Sequence, residues 1–255
     1  MYFVGVEIKW GGWRLLVGSS LLLSCIACTK DSVETLDPGF FGYDYFPLTL
    51  DAVRTYRVDS VIYIQRAGIQ KDTTHAFIRE VVRDSFRDAL QQLVYRVERF
   101  HTRDSALGWT LVDASYVTAS PERLTVRDHG LTFIRLVFPV QQARVWDGNV
   151  WVHPKTQIDI SGETLEPYEN WYYLYEYAGK PDTLAGRAYS KVCKVSEADD
   201  ENIIQKRYSA AWYAAGIGLV YREQWLLDTQ NTDASLPFHL RAQKGFIMMQ
   251  TLIYP

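Results

Sequence analysis

Cysteine is scarce in this chain of 255 residues, which has three, Cys25, Cys28 and Cys193. That is too few for a disulfide scaffold, and no CxxC pair stands with histidines at zinc-ligand spacing. An excess of one charge is also missing. Lys+Arg 27 against Asp+Glu 30 leaves a net charge of -3, so the basic field that nucleic-acid binding requires is absent and nucleic acid is not an expected partner. No apolar run approaches the roughly 20 residues that cross a bilayer as a stable helix. The sequence has no HExxH, GxSxG or SxxK, no GxGxxG after a strand and no lysine-bearing P-loop. Hydrolases readable by motif and nucleotide binding are thereby set aside.

The five histidines, His75, His101, His129, His153 and His239, are scattered singly, so neither metal nor cofactor is expected. Asp84, Glu98, Glu169, Glu176 and Glu223 offer no spacing that pairs two of them as a glycosidase requires. The expectation is therefore a protein that is not an enzyme. What is plentiful is apolar and aromatic material, 47% hydrophobic and 14% aromatic, enough to bury a substantial core.

At the N-terminus, Lys9 and Arg14 precede the apolar run from Leu15 to Ser24. A charged segment followed by a short apolar one predicts an export signal rather than a permanent anchor. The run ends in Leu22-Leu23-Ser24-Cys25, which resembles the bacterial lipobox read by lipoprotein signal peptidase. Ile26-Ala27-Cys28 offers a second candidate. The resemblance implies cleavage after residue 24, alternatively 27, and acylation of Cys25 or Cys28, so that the membrane becomes a partner through a covalent lipid anchor. The polar, turn-rich stretch that follows, with Asp31, Glu34, Asp37, Pro38 and Gly39, predicts a tether over 25–42 and a single domain over 43–255.

Period-two alternation dominates that domain. Tyr56, Val58, Ile62 and Ile64 share one face of a predicted strand, and Ala76, Ile78, Val82 and Phe86 share one face of the next. Further strands are predicted at 92–101, 109–118, 123–128, 131–138, 172–177, 184–195, 203–213, 220–228 and 246–254, with the alanines of 209–215 also suited to a helical turn. The intervening turns are short, and no helical period intervenes. The fold class is all-β, a strongly curved antiparallel sheet forming a half-open barrel or small sandwich, with little helix. Cys193, within one of these strands, reads as a small core hydrophobe.

Two segments carry a resemblance. Tyr45-Phe46-Pro47-Leu48 with the strand at Tyr56, and Tyr213-Ala214-Ala215-Gly216-Ile217-Gly218-Leu219-Val220-Tyr221-Arg222-Glu223, resemble uncharacterised lipoproteins of Bacteroidota. The second also resembles a stretch in periplasmic half-barrels related to the outer-membrane lipoprotein carrier LolA. The resemblance implies a place in the cell envelope, at the outer membrane. Read physically, Gly216 and Gly218 mark a hinge where one strand hands over to the next. Trp171, Tyr173, Tyr175 and Tyr177 would share one strand face, a row that either packs the core or contacts an apolar or glycan ligand. Two functions follow as expectations: a binding module, or an interaction subunit among other envelope proteins.

Overall fold

A strand with alternating side chains has one face to bury, and many such strands in short succession bury them best by coiling together. The computed structural model describes residues 38–65 and 68–254. The predicted leader, Cys25, Cys28 and most of the predicted tether lie outside the described residues. The last five tether residues, 38–42, are part of the folded unit that spans 37–255. Pro38–Phe41 form a single helical turn, α1, and the Val140 amide donates to the Phe41 carbonyl at 2.9 Å.

Fourteen strands follow: β1 (Val53–Gln65), β2 (Ile69–Arg87), β3 (Leu93–Thr102), β4 (Thr110–Ala119), β5 (Arg123–Asp128), β6 (Leu131–Val137), β7 (Val145–Trp146), β8 (Ile158–Ile160), β9 (Glu163–Leu165), β10 (Tyr173–Leu184), β11 (Arg187–Glu201), β12 (Gln205–Ala214), β13 (Gly218–Asp228) and β14 (Lys244–Tyr254), with one further helical turn, α2 (Phe238–Arg241). Twelve of them make one sheet in the order β6-β5-β4-β3-β2-β1-β14-β13-β12-β11-β10-β7, and β8 pairs with β9 alone. Every pairing is antiparallel. The all-β expectation holds, in its barrel rather than its sandwich form, because one continuous sheet curls until its two ends meet.

The meeting of the ends has a definite chemistry. As an end strand, β6 presents backbone groups with no ladder partner, which buried surroundings do not tolerate. At Ile134 the amide donates to the Gly148 carbonyl at 2.8 Å, and the carbonyl accepts from the Trp146 indole at 2.9 Å. At Val137 the Tyr175 phenol fills both roles, accepting from the amide at 3.0 Å and donating to the carbonyl at 2.9 Å. A side chain thus replaces a missing strand.

Between the ends lies a buried carboxylate. Ser196 pairs with Ala210 and Ala198 with Ser209, leaving Glu197 as the extra residue of a β-bulge; Thr125 pairs with Ile134 and Leu124 with Leu136, leaving Arg135 as the extra residue of another. A bulge re-aims its side chain out of the strand's alternation. Here the two re-aimed side chains meet. Glu197 is fully buried and accepts from Arg135 Nη1 at 3.1 Å, from Arg222 Nη1 and Nη2 at 3.1 Å each, and from the Ser209 hydroxyl at 2.6 Å. Burial alone raises the Glu197 carboxyl, but Arg222, Arg135 and the Ser209 hydroxyl outweigh it and hold the group below the ordinary value. The ion therefore stays charged and ties β6 to β11, β12 and β13.

Three clusters fill the molecule. The largest includes Val82, Val97, Val117, Leu124, Leu136, Trp171, Tyr173, Tyr175, Val195, Ala211 and Tyr213. A second gathers Tyr56, Val192, Ala210, Trp212, Ala214 and Leu252. Residues 209–214 are strand, not a helical turn, and their alanines suit a strand buried on both faces. A third cluster, Tyr63 with Leu227, Phe238, Ala242 and Ile247, shows α2 covering the end of β1. There Tyr63, rather than the predicted Ile62 and Ile64, is the buried side chain, and its hydroxyl donates to the His239 carbonyl at 3.0 Å.

The glycine hinge is the β12–β13 hairpin turn, where Ala214 pairs with Gly218. Both glycines have positive φ, 76° at Gly216 and 105° at Gly218, which β-branched residues disfavour. A Cβ on Gly218 would also approach the Arg54 Nε to 3.1 Å, disturbing its 2.7 Å bond to the Ile217 carbonyl. Gly216 meets open space. Of the two, only Gly218 adds a close contact to its positive φ.

Removing the carboxylate should expose how much rests on it. Glu197→Ala leaves Arg135 and Arg222 buried without a counter-ion and is expected to cost about 3–5 kcal/mol in urea unfolding at pH 7. Because the folded carboxyl lies below its ordinary value of 4.5, its contribution is complete above that pH and fades as the pH falls through the folded value. The gap between wild type and variant should therefore narrow in acid. An equal gap at pH 7 and at pH 3 contradicts the assignment.

Candidate functional site

The aromatic row does not form a ligand platform. Trp171, Tyr173 and Tyr175 are buried, with relative exposures of 5%, 0% and 0%, and their polar atoms are engaged within the protein. Trp171 Nε1 donates to the Pro167 carbonyl at 2.6 Å, and the Tyr173 hydroxyl donates to Asn149 Oδ1 at 3.0 Å. Burial pushes both tyrosine phenols well above the ordinary value. Tyr177 is not on the same face. Tyr175 pairs with Val195 and Tyr177 with the adjacent Lys194, so Glu176 is an extra residue that turns Tyr177 to the second cluster, where its hydroxyl donates to Asp182. Core packing is the role the structure gives the row. Cys193 is a free, fully buried thiol raised by burial, the small core hydrophobe the strand pattern predicts.

A bulge also shapes a candidate surface. Val82 pairs with Val97 and Asp84 with Arg96, making Arg83 an extra residue in β2. Strict alternation would put Phe86 with Val82 in the core. Beyond the bulge, Phe86 pairs instead with Val94 and is 46% exposed. It meets Tyr116 of β4 edge-on, ring centroids 6.2 Å apart at 79°.

These two rings stand in a groove of about 670 Å³ on the face of β2–β6 turned away from the core. Val94, Ala114, Thr118, Thr125 and Thr132 also line it, and Arg127, Asp88, Asp113, His129 and Gly130 supply its polar rim. The surface thus pairs an exposed aromatic edge with hydroxyls, carboxylates and a guanidinium.

Beside the groove, Arg99 organises an ion-pair cluster that reaches the groove through Asp113 and His129. Its guanidinium lies 3.0 Å from Asp113, 3.3 Å from Asp128 and 3.7 Å from Glu80. Burial raises the Asp128 carboxyl, but the Arg99 charge and hydrogen bond more than offset this and hold it below the ordinary value. His129, at φ 48° in the β5–β6 turn, bridges the same carboxylates, Nε2 to Asp113 at 2.9 Å and Nδ1 to Asp128 at 3.0 Å. Asp113, Asp128 and His129 bring one ligand atom each within 4.8 Å of one another, a spacing compatible with a metal. Arg99 already engages Asp113 Oδ2 and both Asp128 oxygens, so the set is an ion-pair cluster in this structure.

Sequence reasoning missed this groove. Its residues come from five strands, and the shift that exposes Phe86 depends on pairing with β3, which no local pattern displays. Of the carboxylates singled out from the sequence, Asp84 and Glu98 meet on one guanidinium, that of Arg96, and the rest are dispersed. Asp84 faces Arg96 at 2.7 Å, Glu98 faces Arg83 at 2.8 Å, Glu169 faces Lys155 at 3.5 Å and Glu176 faces Lys194 at 2.6 Å, while Glu223 accepts from the Trp225 indole at 2.7 Å.

No protein-family model and no curated protein matches the chain. Two solved structures are similar to it. One is an exported protein of Bacteroides fragilis described as having a YMCC-like fold, at 12% identity and a TM-score of 0.35, over 84% of this chain and 97% of that one. The other is a lipoprotein of Parabacteroides distasonis, at 12% identity and a TM-score of 0.32, over 82% of this chain and 96% of that one. Neither is described as a carrier of the LolA kind.

Proposed function

We propose that the chain is an exported, lipid-anchored envelope protein, non-catalytic, that binds a glycan on the outward groove of β2–β6. The single observation carrying the binding reading is the exposed Phe86–Tyr116 pair beside a rim of Asp113, Asp88 and Arg127. Sugars present apolar C–H faces that stack on aromatic rings and hydroxyls that bond carboxylates, guanidinium and threonine side chains. An apolar ligand would leave that polar rim unused. The interior row of Trp171, Tyr173 and Tyr175 contributes stability and shape instead. The anchoring reading rests on the sequence Leu22-Leu23-Ser24-Cys25 and its neighbour Cys28, with the outer membrane as its site.

A second reading, an interaction subunit of an envelope assembly, draws on exposed apolar side chains at the β3–β4 connection. Leu107 is 82% exposed, and Leu111 and Val112 are 53% exposed each. Such a cluster suits a protein partner.

The groove is tested by calorimetric titration with neutral and acidic oligosaccharides. Phe86→Ala and Tyr116→Ala are each expected to weaken binding about tenfold, near 1.4 kcal/mol, with little change in unfolding midpoint. Binding that survives both substitutions contradicts the groove, and the absence of any saccharide binding contradicts the function.

Anchoring is tested separately with Cys25→Ser and Cys28→Ser, followed by intact-mass analysis of the membrane fraction. Acyl mass should disappear in one variant and persist in the other. Wild-type protein found soluble and unacylated overturns the anchor.

A further inference from the structure

Buried arginines in this molecule nearly all have their charge answered. Arg222 and Arg135 face Glu197, Arg207 lies 2.6 Å from Asp228, and Arg99 faces three carboxylates. Arg54 has no carboxylate, but its Nε and Nη2 both donate, to the Ile217 and Pro47 carbonyls. Arg241, at the end of α2, differs. It is 95% buried, with a relative exposure of 5%, and both of its hydrogen bonds leave from Nη1, to the carbonyls of Ile203 and Asn231. Its Nε has no partner, and among the described residues no carboxylate stands within ion-pair distance. Nη2 donates no hydrogen bond within the protein either, which leaves it able to take a carboxylate.

That guanidinium lines a second pocket, of about 510 Å³, together with Ile203, Ala234, Leu236, Pro237 and Phe238. Ile203 and Leu236 are exposed apolar side chains, and Phe238 lies against the Arg241 guanidinium, 4.2 Å from ring centroid to Cζ. The rim carboxylate Glu201 is paired with Lys206 at 2.5 Å, and Asp233 is engaged by the Ser235 amide and hydroxyl at 3.0 and 2.6 Å. The pocket thus joins a buried cation that has no ion-pair partner, and that Asp233 feels only at longer range, to apolar walls.

We propose that this pocket binds a small organic carboxylate, with the carboxylate on the free Nη2 of Arg241 and its substituent against Leu236, Ile203 and Pro237. A buried cation without a counter-ion is costly, and a ligand anion removes that cost while its apolar part leaves water. Carboxylates of this kind arise from a peptide C-terminus or from a sugar acid. The site is separate from the groove on β2–β6 and does not depend on the glycan reading.

The test follows the Arg241 Nε–H resonance in full-length, 15N-labelled protein during titration with N-acetyl-leucine, with glucuronate, and with neutral N-acetyl-leucinamide, at matched ionic strength. At least one of the two carboxylates should shift that resonance saturably and raise the unfolding midpoint, and the one that does so identifies the source; the amide should do neither. Arg241→Gln removes the cation but also two bonds that hold the 229–241 loop. Leu236→Trp is therefore the second variant, narrowing the pocket with Arg241 intact, and should weaken binding at least tenfold. No shift with either carboxylate, an equal shift with the amide, or unchanged affinity in Leu236→Trp overturns the proposal.

Discussion

A sheet of twelve strands must do something with its two ends, and the fastening of β6 is the constraint on which the rest of this structure depends. An end strand left bare is an invitation to pair with another chain. Here the backbone of Ile134 and Val137 is taken up by Gly148, Trp146 and Tyr175, and the Arg135–Glu197 ion pair anchors the same strand from inside. Such a pair gives little net stability relative to an apolar core of the same shape, but it admits few alternative arrangements, since any other closure leaves a buried charge unanswered. Closure and register are thus specified by the same residues.

The closed form decides where a ligand can go. Trp171, Tyr173, Tyr175 and Tyr213 fill the interior, which is why the proposed groove lies on the outside. The outward face of β2–β6 is shaped by the Arg83 bulge, which carries Phe86 from the core side to the surface beside Tyr116. Charge follows the same logic. Arg99 gathers Glu80, Asp113 and Asp128 from neighbouring strands into one cluster beside the groove, a cross-strand arrangement that also favours the register.

What the sequence made legible was local. Alternation located most strands, the Gly216 and Gly218 pair marked a turn needing positive φ, and Cys193 read as core; each depends on a residue and its near neighbours. What stayed hidden depends on pairing. The extra residues Arg83, Arg135, Glu176 and Glu197 each reverse the alternation beyond them, so Phe86 and Tyr177 lie on faces opposite to those their spacing predicts, and Glu197 meets an arginine 62 positions away. The convergence of Asp113, Asp128 and His129 is likewise a product of strand order. Tyr63, rather than Ile62 or Ile64, is buried at the end of β1 because α2, far along the chain, covers that face.

On this structure β6 is fastened as firmly as an inner strand although it has a ladder partner on one side only. Native-state hydrogen exchange at the amides of Ile134 and Val137 measures this directly. If Gly148 and the Tyr175 phenol hold those amides as described, both should exchange only through global unfolding, with protection equal to that of central-strand amides such as those of β1 and β14. Exchange of either amide at the rate of an open edge, with the central strands still protected, would contradict the closure.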